Sequence, residues 1–458
     1  MRPPFSRDSG SSDGQPDRRP APAPHASESM KSAAGHALPS CPRLDKAAAP
    51  LLYLPNQKSV IFLAEALLMN EETRSPSKRG RRIAAAAAAA LLAALYLLFA
   101  FSGIPFIAKW RTLYIETAMG TMTHQWLATA FLPGSVIEEA MKDVEARFQA
   151  NLIEASGIAQ SGPSAAPMPA GTPEERARAG FAALFPEVDM DTLPESVTWE
   201  DLPLLELENL EGVYTTAGDK VWAIDVPNKI LICTVSGDGY QGKLAIAKDS
   251  SQVILAKNTL ASRGQTVTEL CEAYGAVLGI NASGFYDPEG RGRGNVPMGF
   301  VLSGGEYSGQ ALKGRYQTAG FDYDDNFRAG RGLDLDEMRD AVQFYPIIVL
   351  NGEKNIDGSF GMGIQPRTAI GQTADKATLM LVIDGRRVGH SLGTTVSECA
   401  DILLRYGCWT AMNMDGGSSS SMTFNGRIIT KSSSAMAQGR YLPDAWVVKG
   451  MPFINVLD

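Results

Sequence analysis

The segment TLMLVIDGRRVGHSLGTTVSECADILLRYGCWTAMNMDGG, residues 378–417, contains two strand-like runs with a helical pattern between them. TLMLVI (378–383) is a continuous apolar run of strand length that ends in an Asp-Gly turn. Residues 395–406 carry apolar side chains at helical spacing, and the next apolar run ends in Asp415-Gly416. The segment therefore predicts two buried strands joined through an amphipathic helix.

The flanking sequence repeats this texture without a strict βα alternation. Short β-type runs (VWAIDV, KILICTV and KLAIAK) precede it, and the Asn-Gly pair in FNGRII predicts a hairpin after it. Because strands and helices interleave irregularly, we predict an α+β fold, a mixed sheet with flanking helices, over residues 210–458.

Charge and cysteine content exclude some classes of protein. A net charge of −8 and a pI near 5.3, without a basic stripe, argue against a nucleic-acid partner. The absence of a CxxC motif or a Cys/His cluster argues against a structural zinc site. Apart from Cys41, the four cysteines form two disulfides in one of three pairings or remain free and buried; they are Cys233, Cys271, Cys399 and Cys408.

An uncharged segment, 83–108, predicts a single transmembrane anchor. Four cations, Lys78, Arg79, Arg81 and Arg82, precede it directly, so the positive-inside rule keeps the N-terminus in the cytoplasm and exports the rest. A cleaved signal peptide and a buried core helix are the alternatives.

The regions on either side of the anchor are predicted to be appendages. Residues 1–82 read as a disordered cytoplasmic tail, and we interpret 1–68 as an over-extension upstream of a true start at Met69. Residues 109–209 read as a helical stalk and a Pro-rich linker. A capping box at Ser135 and an apolar stripe predict a stalk helix over 135–155 that packs on the domain or on a second copy.

Polar residues gather where the predicted strands end. Loops at strand ends carry functional groups without disturbing the ladder, and an Asp-Gly-Gly-Ser run offers backbone N–H groups for an anion-binding nest. The residues with this placement are Asn281, Arg367, Asp384, Arg386 and Asp415, the last followed by Gly416, Gly417 and four serines.

In this order the motifs resemble the phosphodiester glycosidase family. The matching stretches are INASGFYDPEGRGRGNVPMGFVLSGGE (280–306), RTAIGQ (367–372), LMLVIDGRRVGHSLGTTVSECADILLRYGC (379–408), TAMNMDGGSSSSMTFNGRII (410–429) and RYLPDAWVV (440–448). The resemblance implies an enzyme that hydrolyses the bond between a sugar and a phosphodiester at its anomeric carbon. Two positions depart from the family pattern: Ser418 stands where a third glycine is usual, and Asn281-Ala282-Ser283 replaces an Asn-Gly-Gly or Asn-Gly-Asp run.

The implied chemistry gives each polar residue an expected role. A phosphate is a good leaving group, so charge stabilisation by an arginine fork matters more than a strong acid, and Arg367 is the candidate for it. Asp384 and Asp415 are the candidate carboxylates at the anomeric centre. Glu398 is a third, with helix capping or solvation as its alternative. His390 is a weaker acid-base candidate.

The remaining candidates are residues that would hold the substrate: Asn281, Gly416, Gly417, Ser419, Ser420 and Arg386. No cofactor is required by the sequence, although carboxylates could hold a divalent cation. We thus predict a membrane-anchored, extracytoplasmic hydrolase acting on a phosphate-linked envelope glycan. A non-catalytic glycan-binding module and a phosphodiesterase that cuts the P–O bond are the alternatives.

Overall fold

A computed structural model describes residues 78–121, 124–159, 171–194, 199, 206–208, 211–288 and 292–451. Met69, Cys41 and most of the predicted tail lie outside these ranges. The described helices are α1 Lys78–Phe101, α2 Pro105–Met119, α3 Trp126–Thr129, α4 Gly134–Met141, α5 Val144–Ala150, α6 Pro173–Leu184, α7 Val267–Tyr274 and α8 Val396–Arg405.

The described strands are short and mostly follow one another in hairpins. In chain order they are β1 Glu206–Glu208, β2 Lys220–Asp225, β3 Ile230–Gly237, β4 Tyr240–Ala247, β5 Val253–Lys257, β6 Ala276–Asn281, β7 Phe300–Ser303, β8 Glu306–Gly309, β9 Gln317–Asp322, β10 Phe327–Gly330, β11 Met338–Phe344, β12 Ile347–Leu350, β13 Glu353–Lys354, β14 Arg367–Thr373, β15 Thr378–Ile383, β16 Cys408–Asn413, β17 Met422–Phe424, β18 Arg427–Ile428 and β19 Asp444–Lys449.

The strands form three antiparallel sheets. The largest has the order β1-β2-β3-β4-β15-β14-β16-β12-β13, and the other two run β10-β9-β11-β7-β8 and β18-β17-β6-β19-β5. Helices and antiparallel sheets are mixed without a repeating unit, so the predicted α+β class is confirmed.

The large sheet is buried on both faces, which explains the nearly continuous apolar sequence of β15. Leu379 and Leu381 pack in one hydrophobic cluster together with α8. Met380 and Val382 point the other way, into a second cluster shared with the smaller sheets. Since successive side chains of a strand alternate between faces, a strand covered on both sides must be apolar at every position.

Helices α7 and α8 of the domain each begin at a capping box. Thr266 and Thr395 are the N-caps of α7 and α8, and each accepts a hydrogen bond from the backbone N–H of a glutamate three residues on. Cys271 and Cys399 lie buried on these helices, and all four described cysteines are free. Burial raises the pKa of the Cys399 thiol to about 12.

The predicted anchor segment 83–108 is two helices rather than one. Helix α1 is long and apolar enough to cross a membrane and is almost wholly exposed, but it ends at Phe101. A second helix, α2, begins at Pro105, where a proline at the first helical position suits a new helix start.

The predicted stalk helix over 135–155 is also divided. Its first half, α4, has Pro133 as its N-cap, so Ser135 lies inside the helix and makes no capping bond. Its second half, α5, packs on the domain, because the Phe148 ring meets the ring of Tyr345 edge-on at 5.2 Å. The sequence left two alternatives for this helix, packing on the domain or on a second copy, and the contact between Phe148 and Tyr345 is packing on the domain.

Candidate functional site

A cavity lies at the ends of strands β14 and β16 of the large sheet. Its volume of about 980 Å³ is within the range of ligand-binding pockets. Its walls come from loops of the domain and from the helices that precede it. The residues that line it include Asp287, Arg367, Arg386, Asp415, Ser418 and Arg440 from the domain, and Met119, Gly120 and Thr121 from the end of α2.

Asp415 follows β16 and is held through its main chain. Its backbone N–H donates to the carbonyl of Ala282 at 3.1 Å, and its own carbonyl accepts from Nδ2 of Asn281 at 2.7 Å. Burial raises the pKa of the Asp415 carboxyl to about 6, against the lowering effects of Ser419 and Arg440. A carboxyl with a pKa near the working pH can both take up and release a proton.

Asn281 is fully buried and holds the backbone of Asp415 in place. Its Oδ1 accepts from Thr368 Oγ1 at 2.7 Å and from the Ser421 N–H at 3.1 Å, while its amide holds Asp415. Its polar atoms are therefore directed to protein partners. It does not line the cavity, where the sequence predicted a sugar contact.

Arg386 reaches the cavity from the loop after β15. Its backbone has φ 57°, a left-handed conformation that is unusual for a side chain of this size. Nη2 donates to Oε1 of Gln365 at 2.7 Å, and the guanidinium lies over the backbone of Gly417, where an added Cβ would be 3.1 Å from Nη2. Burial lowers the pKa of Arg386, and the charge of Asp415 opposes that shift.

Asp287 and Arg440 form an ion pair in the cavity that the sequence reasoning missed. Arg440 Nη2 donates to Asp287 Oδ2 at 2.8 Å, and Nη1 donates to Oγ of Ser418 at 3.1 Å. Both residues occur in motifs that carry the family resemblance, FYDPEG and GRYLPDAW. The available signal was a charged residue beside a tyrosine in a glycine-containing loop.

The two departures from the family pattern both hold charged side chains. Ser418 accepts from Arg440, as described above. Ser283 donates to Asp444 through its backbone N–H, at 2.7 Å, and through its hydroxyl, at 2.5 Å. Asp444 is completely buried, and burial raises the pKa of its carboxyl to about 6. The added hydroxyl groups therefore bind neighbouring protein groups.

Arg367 lines the cavity but directs its donors into the protein. Nη2 donates to the carbonyls of Met362 and Gly363 at 2.9 and 2.7 Å, and Nε donates to Thr394 at 3.2 Å. The side chain is buried, which lowers the pKa of the guanidinium to about 10. Its contacts fix the loop that carries Met362, and Arg386 and Arg440 are the cations whose charges act on Asp415.

Asp384 does not share the cavity with Arg367 and Asp415, so two of the three residues predicted to act on one substrate lie together and the third does not. Asp384 lines a smaller cavity of about 440 Å³. There its Oδ2 lies 2.7 Å from Nε2 of His390, and its Oδ1 accepts from the Lys431 N–H at 2.7 Å. Asp384 and His390, two of the acid-base candidates from the sequence, therefore pair with each other.

Glu398 caps a helix, the alternative that the sequence left open. The N–H of Thr395 donates to its Oε2 at 2.9 Å. Burial of Glu398 is outweighed by hydrogen bonds from Thr394 and Thr395, so its pKa lies below the usual range. Ser420 is buried and does not line the cavity, whereas Gly416, Gly417 and Ser419 line it.

Aromatic rings form part of the wall of the cavity. Tyr345 stacks on Phe344 at 5.0 Å and meets Tyr316 edge-on at 5.0 Å. The guanidinium of Arg315 lies 4.5 Å from the centre of the Phe148 ring. Burial raises the pKa of both tyrosine hydroxyls, so they stay protonated and can donate hydrogen bonds to a sugar.

Within the described ranges, no group of three or more His, Cys, Asp or Glu side chains is placed to hold a metal ion. The lining of the cavity combines three carboxylates with four guanidinium groups: Glu145, Asp287 and Asp415, and Arg315, Arg367, Arg386 and Arg440. Carboxylates serve acid-base or nucleophilic chemistry, and guanidinium groups bind phosphate. The fold and the site together define a hydrolase-type α+β domain.

The family comparison agrees with this class. Residues 274–449 match the family model described as phosphodiester glycosidase, so the resemblance predicted from the motifs is confirmed for this domain. The SPbeta prophage-derived uncharacterized protein YomE of Bacillus subtilis (strain 168) is 27% identical over 200 residues, covering 38% of this chain and 28% of the relative. This chain thus spans under a third of that relative's length.

Two solved structures are similar to this chain over about half of its length. The zebrafish N-acetylglucosamine-1-phosphodiester alpha-N-acetylglucosaminidase catalytic domain, auto-inhibited by its pro-peptide, is 16% identical with a TM-score of 0.40, covering 48% of this chain and 81% of that one. A hypothetical protein from Synechocystis is 15% identical with a TM-score of 0.35, covering 48% and 62%.

Proposed function

We propose that this protein is a membrane-anchored hydrolase that releases a sugar from a sugar-1-phosphodiester in an envelope glycan, on the extracytoplasmic side. One observation carries the proposal. Asp415, with its raised pKa, faces Arg386 and Arg440 inside one aromatic-walled cavity. A negative phosphodiester and a sugar ring need that combination of charges and surfaces.

Asp415 is the group that acts at the anomeric carbon, where the transition state resembles an oxocarbenium ion. Ionised, it stabilises that positive charge, attacks the carbon directly or activates a water molecule. Asp287 is the second carboxylate of the cavity, in the place that the sequence assigned to Asp384. Its Oδ2 accepts a hydrogen bond from Nη2 of Arg440 at 2.8 Å.

Arg386 and Arg440 stabilise the departing phosphate. The leaving group gains negative charge as the C–O bond breaks, and fixed cations in a partly dry cavity stabilise that charge more than water does. Arg367 takes a positioning role in this proposal, since three of its hydrogen bonds hold the 362–363 and 394 loops.

The experiment is hydrolysis of sugar-1-phosphate diesters by the full chain in heavy-oxygen water, with and without chelator. Label in the released sugar supports C–O cleavage by a glycosidase. Label in the phosphate would replace the proposal with a phosphodiesterase, and binding without turnover by the wild-type protein would replace it with a glycan-binding module.

A further inference from the structure

The wall of the cavity formed by α2 is built directly onto the end of α1. The Arg111 guanidinium donates to the carbonyls of Phe99 and Ser102 at 3.1 and 3.0 Å, which satisfies the open end of α1. The ring of Tyr114 lies edge-on to Phe99 at 5.9 Å. Helix α2 therefore lies beside the last turn of α1 and does not carry the domain away from it.

The same helix contacts the catalytic cavity one turn later. Thr117 accepts from the Ile364 N–H at 3.0 Å, and its carbonyl accepts from Nε2 of Gln365 at 2.7 Å. Gln365 in turn accepts from Arg386. From Tyr114 to Met119, which lines the cavity, the helix rises only about 7.5 Å. The lining of the cavity thus begins about 7.5 Å along α2 from Tyr114, the residue that contacts the last turn of α1, and this rise is comparable to the thickness of a lipid headgroup layer.

The outer side of this helical region exposes large apolar side chains. Phe106 and Trp110 are 71% and 51% exposed, lie one turn apart on the same side of α2 and touch through their rings at 6.4 Å. Ile104, Trp126 and Phe131 are each more than half exposed as well. Aromatic side chains next to a membrane-spanning helix are typical of the interface between lipid and water.

From these contacts we infer that the cavity lies at the level of the lipid headgroups and that the phosphodiester it receives is carried by a membrane lipid, a sugar-1-phospholipid. The inference rests on the proposed function and narrows its substrate class. The occupant of the Phe106–Trp110 face is the bilayer that holds α1, since α2 begins four residues after α1 ends. Aromatic burial there keeps the cavity against the surface from which the substrate is taken.

The test uses the full chain reconstituted in phosphatidylcholine vesicles and a panel of hexose and N-acetylhexosamine 1-phosphates, each esterified to hexadecanol or to methanol. We expect kcat/KM for at least one hexadecyl ester in the vesicles to exceed that for its methyl ester at least tenfold. The variant F106S/W110S should lose most of this preference and keep its rate on the methyl ester. Tyr323→Ser, which removes an exposed aromatic side chain far along the chain in the domain, is the matched control and should change neither rate.

Membrane depth provides a readout that does not depend on activity. Fluorescence quenching by brominated lipids should decrease in Trp110→Phe and remain unchanged in Trp409→Phe, since Trp409 lies in strand β16 of the domain and its indole N–H donates to the Gly157 carbonyl. Equal use of both esters, or an unchanged preference in F106S/W110S, overturns the inference while leaving the hydrolase intact. If none of the esters in the panel is cleaved, the proposed function itself is overturned.

Discussion

Asp287 and Arg440, separated by 153 residues of chain, are joined by a hydrogen bond of 2.8 Å at the mouth of the cavity. Asp287 also accepts from the Gly292 N–H at 2.6 Å, so the carboxylate fixes its own loop and the arginine together. The pair brings one negative and one positive group into the cavity.

Replacing this carboxylate is expected to impair catalysis. Asp287→Asn should lower kcat for a sugar-1-phosphodiester about 100-fold, because Arg440 loses its partner and the cavity loses a negative charge. Asp334→Asn, at an exposed turn, is the control and should leave kcat unchanged. A wild-type rate in Asp287→Asn would exclude Asp287 from the chemistry.

Asp415 and Asp384 should behave differently, although both follow a buried strand and precede a glycine. Asp415→Asn is expected to reduce kcat/KM at least 1000-fold, since it removes the carboxylate at the reacting carbon. Asp384→Asn should retain turnover within tenfold while lowering the melting temperature, because Asp384 holds His390 and the Lys431 backbone. Steady-state rates and thermal unfolding of both variants decide between the two residues.

This difference shows what the sequence could and could not predict. The apolar runs predicted β15 and β16 because strands covered on both faces read as continuous apolar sequence. For the same reason they did not reveal which face each following aspartate would share. Asp384 directly follows β15 and lines the smaller cavity, whereas Asp415 lies two residues beyond the end of β16 and lines the larger one.

Other features of the site were outside the reach of sequence patterns. The helix caps at Thr266 and Thr395 were predictable, since capping is local. The Asp287–Arg440 pair joins two loops that only the folded sheets bring together. The role of α2 as a cavity wall also depends on tertiary packing, since an apolar helix after an anchor indicates burial or exposure equally well.

The acid side of the pH–rate profile should report Asp415. Its pKa is raised to about 6, so below pH 6 the carboxylate becomes protonated and kcat/KM should fall tenfold per pH unit. The pKa of Asp415 is higher in the folded protein than in the unfolded chain, so ionisation of this carboxyl lowers the free energy of unfolding. This destabilisation is absent below about pH 4, grows as the pH rises, and is complete above about pH 6.

Stability measurements on Asp415→Asn test the sign of this effect. The variant should raise the melting temperature relative to wild type at pH 7.5 and raise it less, or not at all, at pH 4.5. A larger gain at pH 4.5 would contradict the assignment of a raised pKa to Asp415.

The contact between Gly363 and helix α2 can be tested with a closely matched control. Gly363 and Gly358 have φ of 60° and 59°, so alanine costs about 1 kcal/mol of backbone strain at either position. A Cβ at Gly363 would also lie 2.3 Å from the backbone nitrogen of Thr117, whereas nothing lies within 4 Å at Gly358. Gly363→Ala should therefore lose more unfolding free energy and displace α2 from the cavity.

Activity should follow the same contrast. Because Gln365 links Thr117 to Arg386, Gly363→Ala is expected to lower kcat/KM for a soluble diester at least tenfold, with Gly358→Ala close to wild type. Equal activity in the two variants would show that the α2 wall does not position Arg386.

The segment between α5 and the linker should be needed for the domain to fold, which bears on where a soluble fragment can begin. Asn151 is buried; its Nδ2 donates to the carbonyl of Ile347 at 2.9 Å, and its Oδ1 accepts from the Ile347 N–H at 3.1 Å and from Gln317 at 3.2 Å. Asn151→Ala leaves these groups unpaired and should lower the unfolding free energy by about 2–4 kcal/mol. Gln149→Ala, two residues earlier on an exposed surface, should lower the unfolding free energy by under about 0.5 kcal/mol.

Truncation tests the same segment. A fragment beginning at residue 206 lacks Asn151 altogether and should unfold at a lower temperature than a fragment beginning at residue 103. Equal melting temperatures of the two fragments would show that the domain is complete without the preceding helices.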